Sequence, residues 1–293
     1  MLRNERLGVL SLLTAAFLFA LTTALVKLSS ASISGYMISA MRFLVGAVLS
    51  CAAILARRGR IRVTNKKDWI LRGVYGAASM IFSYLAIART SGGRATLLGN
   101  TYPIFVALFA ALFFRERLSA AAIPSLALCT LGSALVLNDG AGYPTAGDVL
   151  AILSAVFAGL ALNHLKRARA TEDPFTLYLS PCLFGLPVSA ALSAKTAVFH
   201  PGALALAAGV GVVVFAAQIC MTWGYKHVPV ARGSRIFYLE TLLAVGFGAL
   251  LGERLKPAFF FGGALIAAGL AFDTWDAARR RPALNSGIPE VRT

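Results

Sequence analysis

Ten apolar stretches, each close to twenty residues and nearly free of charge, limit this chain more tightly than any other feature. They fall near 7–28, 33–55, 69–88, 95–114, 120–137, 148–166, 175–194, 203–225, 231–251 and 257–275. The hydrocarbon core of a bilayer takes about 20 helical residues to cross. Backbone inside it must bond to itself, so each stretch is read as a helix. The expected fold class is all-α integral membrane, with ten transmembrane helices. Composition agrees: 58% of the 293 residues are hydrophobic and 14% are charged, where soluble domains carry about 25% charged residues.

The joins are short and polar, as in Asn138-Asp139-Gly140 and His200-Pro201-Gly202. The first stretch, behind Arg3 and Arg6, has the look of a secretion signal. Its span length and its counterpart in mid-chain argue that it stays as a helix. Residues 279–293 are polar and are expected to be a disordered cytoplasmic tail.

The net charge of +16 suggests nucleic acid at first sight. The basic residues, however, sit at the ends of apolar runs, and no polar domain exists to read a groove. Cytoplasmic loops of membrane proteins collect Lys and Arg. With the N-terminus inside, nineteen of the 28 basic residues fall in cytoplasmic segments and six outside. Both termini are therefore expected in the cytoplasm, in a multi-pass protein of the cell (inner) membrane. Lys66, Lys67 and the arginines beside them suit anionic lipid head groups.

Cys51, Cys129, Cys182 and Cys220 lie within apolar runs, with no CxxC pair. They read as small packing residues. Neither they nor the three scattered histidines have metal-ligand spacing, so no metal or cofactor is expected. No GxSxG, Walker A, HExxH or dinucleotide fingerprint occurs, which argues against an enzyme or a primary pump.

The two halves repeat. Thr14-Ala15-Ala16-Phe17 matches Ser154-Ala155-Val156-Phe157, and Arg115-Glu116-Arg117-Leu118 matches Gly252-Glu253-Arg254-Leu255 at nearly the same offset. This divides the chain into repeats at 1–140 and 141–278. Five spans per copy is odd, so the second copy is inverted in the membrane. Inverted repeats place a solute site near the midplane between the halves.

The chain resembles the drug/metabolite transporter superfamily in its EamA-type branch, from about Gly8 to about Asp276. Met41-Arg42-Phe43, Tyr102-Pro103-Ile104-Phe105, the two Glu-Arg-Leu helix ends, Gly262-Gly263 and Gly269 carry the resemblance. It implies a ten-helix carrier with a central cavity lined by spans 1, 3, 4, 6, 8 and 9. The family usually has a Glu-Pro pair in the ninth span. Here it is Glu240-Thr241, so nothing in the pattern calls for a proline-induced break at that point.

Charges at bilayer depth are costly and mark sites by default. Among twelve acidic residues only Glu240 falls near the centre of a span, and Arg42 lies at similar depth in the other half. Glu240, Ala244, Gly248 and Gly252 form a small-residue stripe that turns Glu240 into the bundle. Pro103, Ala107 and Ala111 repeat it in the fourth span. An Arg42–Glu240 pair across the halves is expected. It is either a static salt bridge, or one of the two binds a charged group of the solute, or Glu240 takes a proton. In the fourth span Pro103 frees a carbonyl one turn back, beside Asn100 and Tyr102. Tyr84, Asn163, Gln218 and Tyr238 complete the candidate solute-binding set, and His164 joins Glu240 as a candidate proton carrier. Trp69, Trp223 and Trp275 read as interfacial anchors.

The expected function is secondary transport of a small polar metabolite, an amino acid or related compound, by alternating access. Export is favoured, and the chain is a monomer or homodimer. An importer of a cofactor-like solute is one alternative. A non-transporting scaffold or sensor is another, but midplane charges are hard to motivate in a scaffold.

Overall fold

The computed structural model describes residues 2–89, 92–114, 122–136, 145–194, 200–250 and 257–285, and these hold twelve α-helices and no strand. In order they are α1 (Leu2–Ser30), α2 (Gly35–Ala56), α3 (Lys66–Arg89), α4 (Gly92–Gly99), α5 (Tyr102–Phe114), α6 (Ala122–Val136), α7 (Ala146–Ala168), α8 (Pro174–Ser193), α9 (Pro201–His227), α10 (Val230–Ile236), α11 (Tyr238–Leu250) and α12 (Pro257–Asn285). Six of them, α1, α2, α3, α7, α8 and α9, are long and apolar enough to cross a bilayer, and α5, α6 and α12 carry shorter apolar stretches.

Local chemistry sets the helix starts. Ser34 accepts from Met37 N ahead of α2. Thr145 and Asp148 form a reciprocal capping box ahead of α7, and Asp173 accepts from Phe175 N and Thr176 N ahead of α8. Each satisfies backbone donors that have no partner within the helix.

Two of the ten expected spans are broken. The fourth divides into α4 and α5 at Asn100–Thr101, where Thr101 N bonds Leu98 O and Ile104 N bonds Thr101 O. These tight three-residue turns replace the α-helical ladder, two residues ahead of the expected kink at Pro103. The ninth divides into α10 and α11 at Phe237, through Phe237 N to Ser234 O and Glu240 N to Phe237 O. This break forms without proline, so the Thr241 departure from the family pattern does not abolish it. Both second pieces start on a tyrosine, Tyr102 and Tyr238.

The tail expectation needs correction. α12 continues through Arg279, Arg280 and Arg281 to Asn285. Alanine and arginine are strong helix formers, so polarity alone does not end this helix. Residues 286–293, the loop motifs at 115–118 and 251–255, and Asn138-Asp139-Gly140 lie outside the described residues.

Packing runs mainly between the halves and is reciprocal. α1 packs on α9 and α7 on α3; α2 packs on α9 and α8 on α3; α11 packs on α1 and α5 on α7. α2 meets α8, and α6 meets α12. Close approach is built in. At Gly159 of α7 an added Cβ would lie 2.6 Å from Phe105 Cβ and 2.9 Å from the Phe105 carbonyl carbon, so α5 and α7 touch backbone to side chain. The outer faces carry large apolar side chains, including Leu55 at 72% exposure, Ile123 at 67% and Leu112 at 62%. Such a surface is unstable in water and natural against lipid.

Candidate functional site

A cavity of about 180 Å³ lies between the halves. α1, α3, α4, α7 and α9 contribute most of its wall, with Arg42 from α2, Tyr102 at the start of α5, Phe237 between α10 and α11, and Glu240 from α11. The resemblance implies spans 1, 3, 4, 6, 8 and 9, and the structure adds the second through Arg42. The lining runs from Arg72 and Met221 to Val26, Ile87 and Ala95, toward the end of the bundle where α1 and α3 finish.

The opposite end is tied shut. Asp68, in the first turn of α3, bonds His164 Nδ1 at 2.7 Å and lies 3.4 Å from Arg167 Nε, both from α7. Asn65 Nδ2 donates to the same carboxylate. Glu172 accepts from the Thr64 and Asn65 backbone at 2.7 and 2.8 Å. Trp69 Nε1 donates to Thr176 O, and Ser180 donates to Trp69 O. Arg232 pairs with Glu5 at 2.7 Å. Arg169, just past α7, is drawn below the ordinary arginine pKa by burial. Trp69 is therefore a helix tie and not a free interfacial anchor, whereas Trp223 and Trp275 are exposed.

Within the cavity the charges are not tied. Arg42 is 3% exposed, and its Nη1 donates to the Tyr84 hydroxyl at 3.2 Å. Its guanidinium carbon lies 5.4 Å from the Tyr84 ring centre and 5.6 Å from that of Phe43. Arg42 Nε and Nη2 have no partner. The expected Arg42–Glu240 pair does not form. Arg42 reaches Tyr84 instead, and the Glu240 carboxylate has no ion-pair partner among the described residues. The charges stand in one cavity without contact, because the guanidinium is braced by aromatic rings on α2 and α3.

A second buried cation, at the edge of a span in the sequence, joins the site. Arg72 is 3% exposed, and its Nη2 donates to Gln218 Oε1 at 3.2 Å while Nε has no partner. A Cβ at Gly76, one turn on, would collide with Arg72 Nη1. The glycine therefore makes room for the guanidinium to fold along α3. The signal was there: an arginine inside an apolar run with a glycine four residues later. Its place near the helix start puts it at the edge of a span, where an arginine normally reaches water.

The other expected residues divide. Tyr84, Tyr102, Asn100 and Gln218 line the cavity. Asn100 Nδ2 donates to Thr241 Oγ1 at 2.8 Å and so bridges the two broken helices. Tyr102 faces Phe237 at 6.3 Å between ring centres. Three do not line it. Asn163 donates to Val106 O and Gly159 O, which ties α7 to α5. Tyr238 shares a hydrogen bond with Thr130 at 2.9 Å, in an apolar cluster with Cys129 and Ile266. His164 belongs to the Asp68 cluster. Each amide, hydroxyl or imidazole at depth needs a partner, and these found theirs in neighbouring helices. Ser79 and Thr22, not singled out from the sequence, line the wall. No group of three potential metal ligands occurs among the described residues.

Comparison with known proteins agrees with this architecture. Residues 6–138 and 145–274 each match the model described as the EamA-like transporter family. The chain is 27% identical over 267 residues to the pseudopaline exporter CntI of Pseudomonas aeruginosa, covering 88% of this chain and 92% of the exporter. It is 28% identical over 249 residues to a probable terminal-alkyne amino-acid exporter of Streptantibioticus cattleyicolor, covering 80% and 83%. A solved crystal structure shares the fold at a TM-score of 0.79 and 21% identity, covering 93% of this chain and 98% of its own.

Proposed function

The chain belongs to the EamA-like transporter family, and from that premise we propose that it exports a small amino-acid-like solute by alternating access. As a member it is a multi-pass membrane transporter of small metabolites and not an enzyme. The observation that carries the finer reading is one cavity holding Arg42 and Arg72 together with a Glu240 that has no counter-ion among the described residues. A carboxylate suits the guanidiniums, and an ammonium suits Glu240. Two relatives are named as exporters, one of an amino acid, which supports the solute class and the direction.

The reciprocal packing of the halves supports an inverted repeat, with α1 to α6 as one copy and α7 to α12 as the other. Such a pair can rock about a site at their interface. With the N-terminus in the cytoplasm, the tied end is the inner one and the structure faces outward. Glu240 is then the group that exchanges an ammonium for a proton as the solute leaves.

Flux in proteoliposomes tests this. Vesicles loaded with a mixture of amino acids release a subset faster than protein-free vesicles do, and Glu240→Gln flattens the pH dependence of that release. No release above the protein-free control overturns the export reading. Wild-type rate and pH profile in Glu240→Gln remove Glu240 from the mechanism.

A further inference from the structure

We propose that the solute is an acidic amino acid, bearing two carboxylates for its one ammonium group. The inference rests on the reading of the cavity as the solute site, and charge balance leads to it. Arg42 and Arg72 are both 3% exposed and both line the cavity. Neither forms an ion pair with any described carboxylate; the guanidiniums reach a phenol and an amide instead. Among the described residues Glu240 is the one acidic side chain in the wall. Two cations and one anion thus share a desolvated space, and a buried cation without an anion is strongly unfavourable. A zwitterion with one carboxylate leaves that imbalance in place. A second carboxylate removes it.

The nitrogen geometry agrees. Arg42 spends Nη1 on Tyr84 and leaves Nε and Nη2 without partners. These two nitrogens are the edge of a guanidinium that can hold a carboxylate with two hydrogen bonds; both are closed to solvent beside the Tyr178 hydroxyl, so a carboxylate reaches them by a turn of the Arg42 side chain. Arg72 leaves Nε without a partner, and Gln218 fixes the orientation of its other end. Both guanidiniums line one cavity, so a carboxylate on each also offsets the repulsion of like charges. A side chain at Gly76 would displace the Arg72 guanidinium from its present position. A phosphate monoester would offer two negative charges on one group. The wall instead supplies two separate cations, one from α2 and one from α3.

The test is ligand binding to the purified full-length protein in detergent, read as thermal shift against concentration. The probes are glutamate, glutamine, glutarate and O-phosphoserine. Glutamate is expected to bind at least about tenfold more tightly than glutamine, a gap that requires one well-placed charge pair. Arg72→Gln is expected to close that gap, and Arg72→Lys to restore part of it. Arg42→Gln serves as the second variant should Arg72→Gln fail to fold. Equal binding of glutamate and glutamine overturns the second carboxylate and leaves the amino-acid reading standing. Binding of glutarate as tight as glutamate upholds the two carboxylates and overturns the ammonium at Glu240. Preference for O-phosphoserine over glutamate, or a glutamate preference that survives both arginine variants, overturns the proposal. Binding of none of the four overturns it together with the solute class.

Discussion

Two groups of charged side chains, one at the tied end and one in the cavity, are treated in opposite ways. At the tied end, Asp68, His164, Arg167, Glu172, Arg232 and Glu5 find partners at close range, and each contact joins one helix or loop to another. In the cavity, Arg42 and Arg72 are more deeply buried than most of these, and they and Glu240 have no partner of opposite charge among the described residues. A buried ion pair holds helices together, whereas a buried charge kept apart from its opposite is an unspent interaction. The first group is structural. Under the proposed function the second waits for a solute, at a stability cost to the empty protein.

The largest effect that could break this contrast is at Arg72. Arg72→Gln is expected to lower the initial rate of solute release about a hundredfold, the loss of one charge-assisted pair worth about 2–3 kcal/mol. Retained transport would move Arg72 into the structural group. Glu240→Gln is expected to cut the rate about tenfold and to remove its dependence on pH, measured as flux from vesicles across a pH series. Asp68→Asn should act in the opposite sense. It is expected to lower the unfolding free energy by about 2 kcal/mol, as the bonds to His164 and Asn65 lose their charge, while solute affinity stays unchanged. Denaturant or thermal melts and a binding curve on the same sample separate the two. The smallest effect is at Trp69. Trp69→Phe removes the hydrogen bond to Thr176 O and is expected to cost about 1 kcal/mol, again with affinity intact.

How much of this was legible in the sequence follows the same division. Apolar run length gave the ten spans, because the bilayer imposes one length on every helix. The family motifs gave the cavity wall, and Arg42, Asn100, Gln218 and Glu240 are all in it. Pairing was not legible. Arg42 and Glu240 share a depth, but depth does not say which side chain a guanidinium touches, and Tyr84 sits nearer. The break at Phe237 was hidden because no proline marks it. Arg72 was hidden because a charge one turn from a helix end normally reaches water, and only the fold along Gly76 sends it inward. Asn163 and Tyr238 were misplaced for the converse reason. A polar side chain in an apolar run can be satisfied by a neighbouring helix as well as by a solute.

The central claim is that the cavity arginines are held against the stability of the empty protein. It is tested most directly by the melting temperature of ligand-free Arg72→Met beside wild type. Removing a buried cation that lacks an anion should raise the stability of the empty protein by about 1–4 kcal/mol, and the same variant should lose the shift that solute gives the wild type. A lower melting temperature for Arg72→Met, with the solute-induced shift preserved, would contradict the account and place Arg72 among the ties that build the fold.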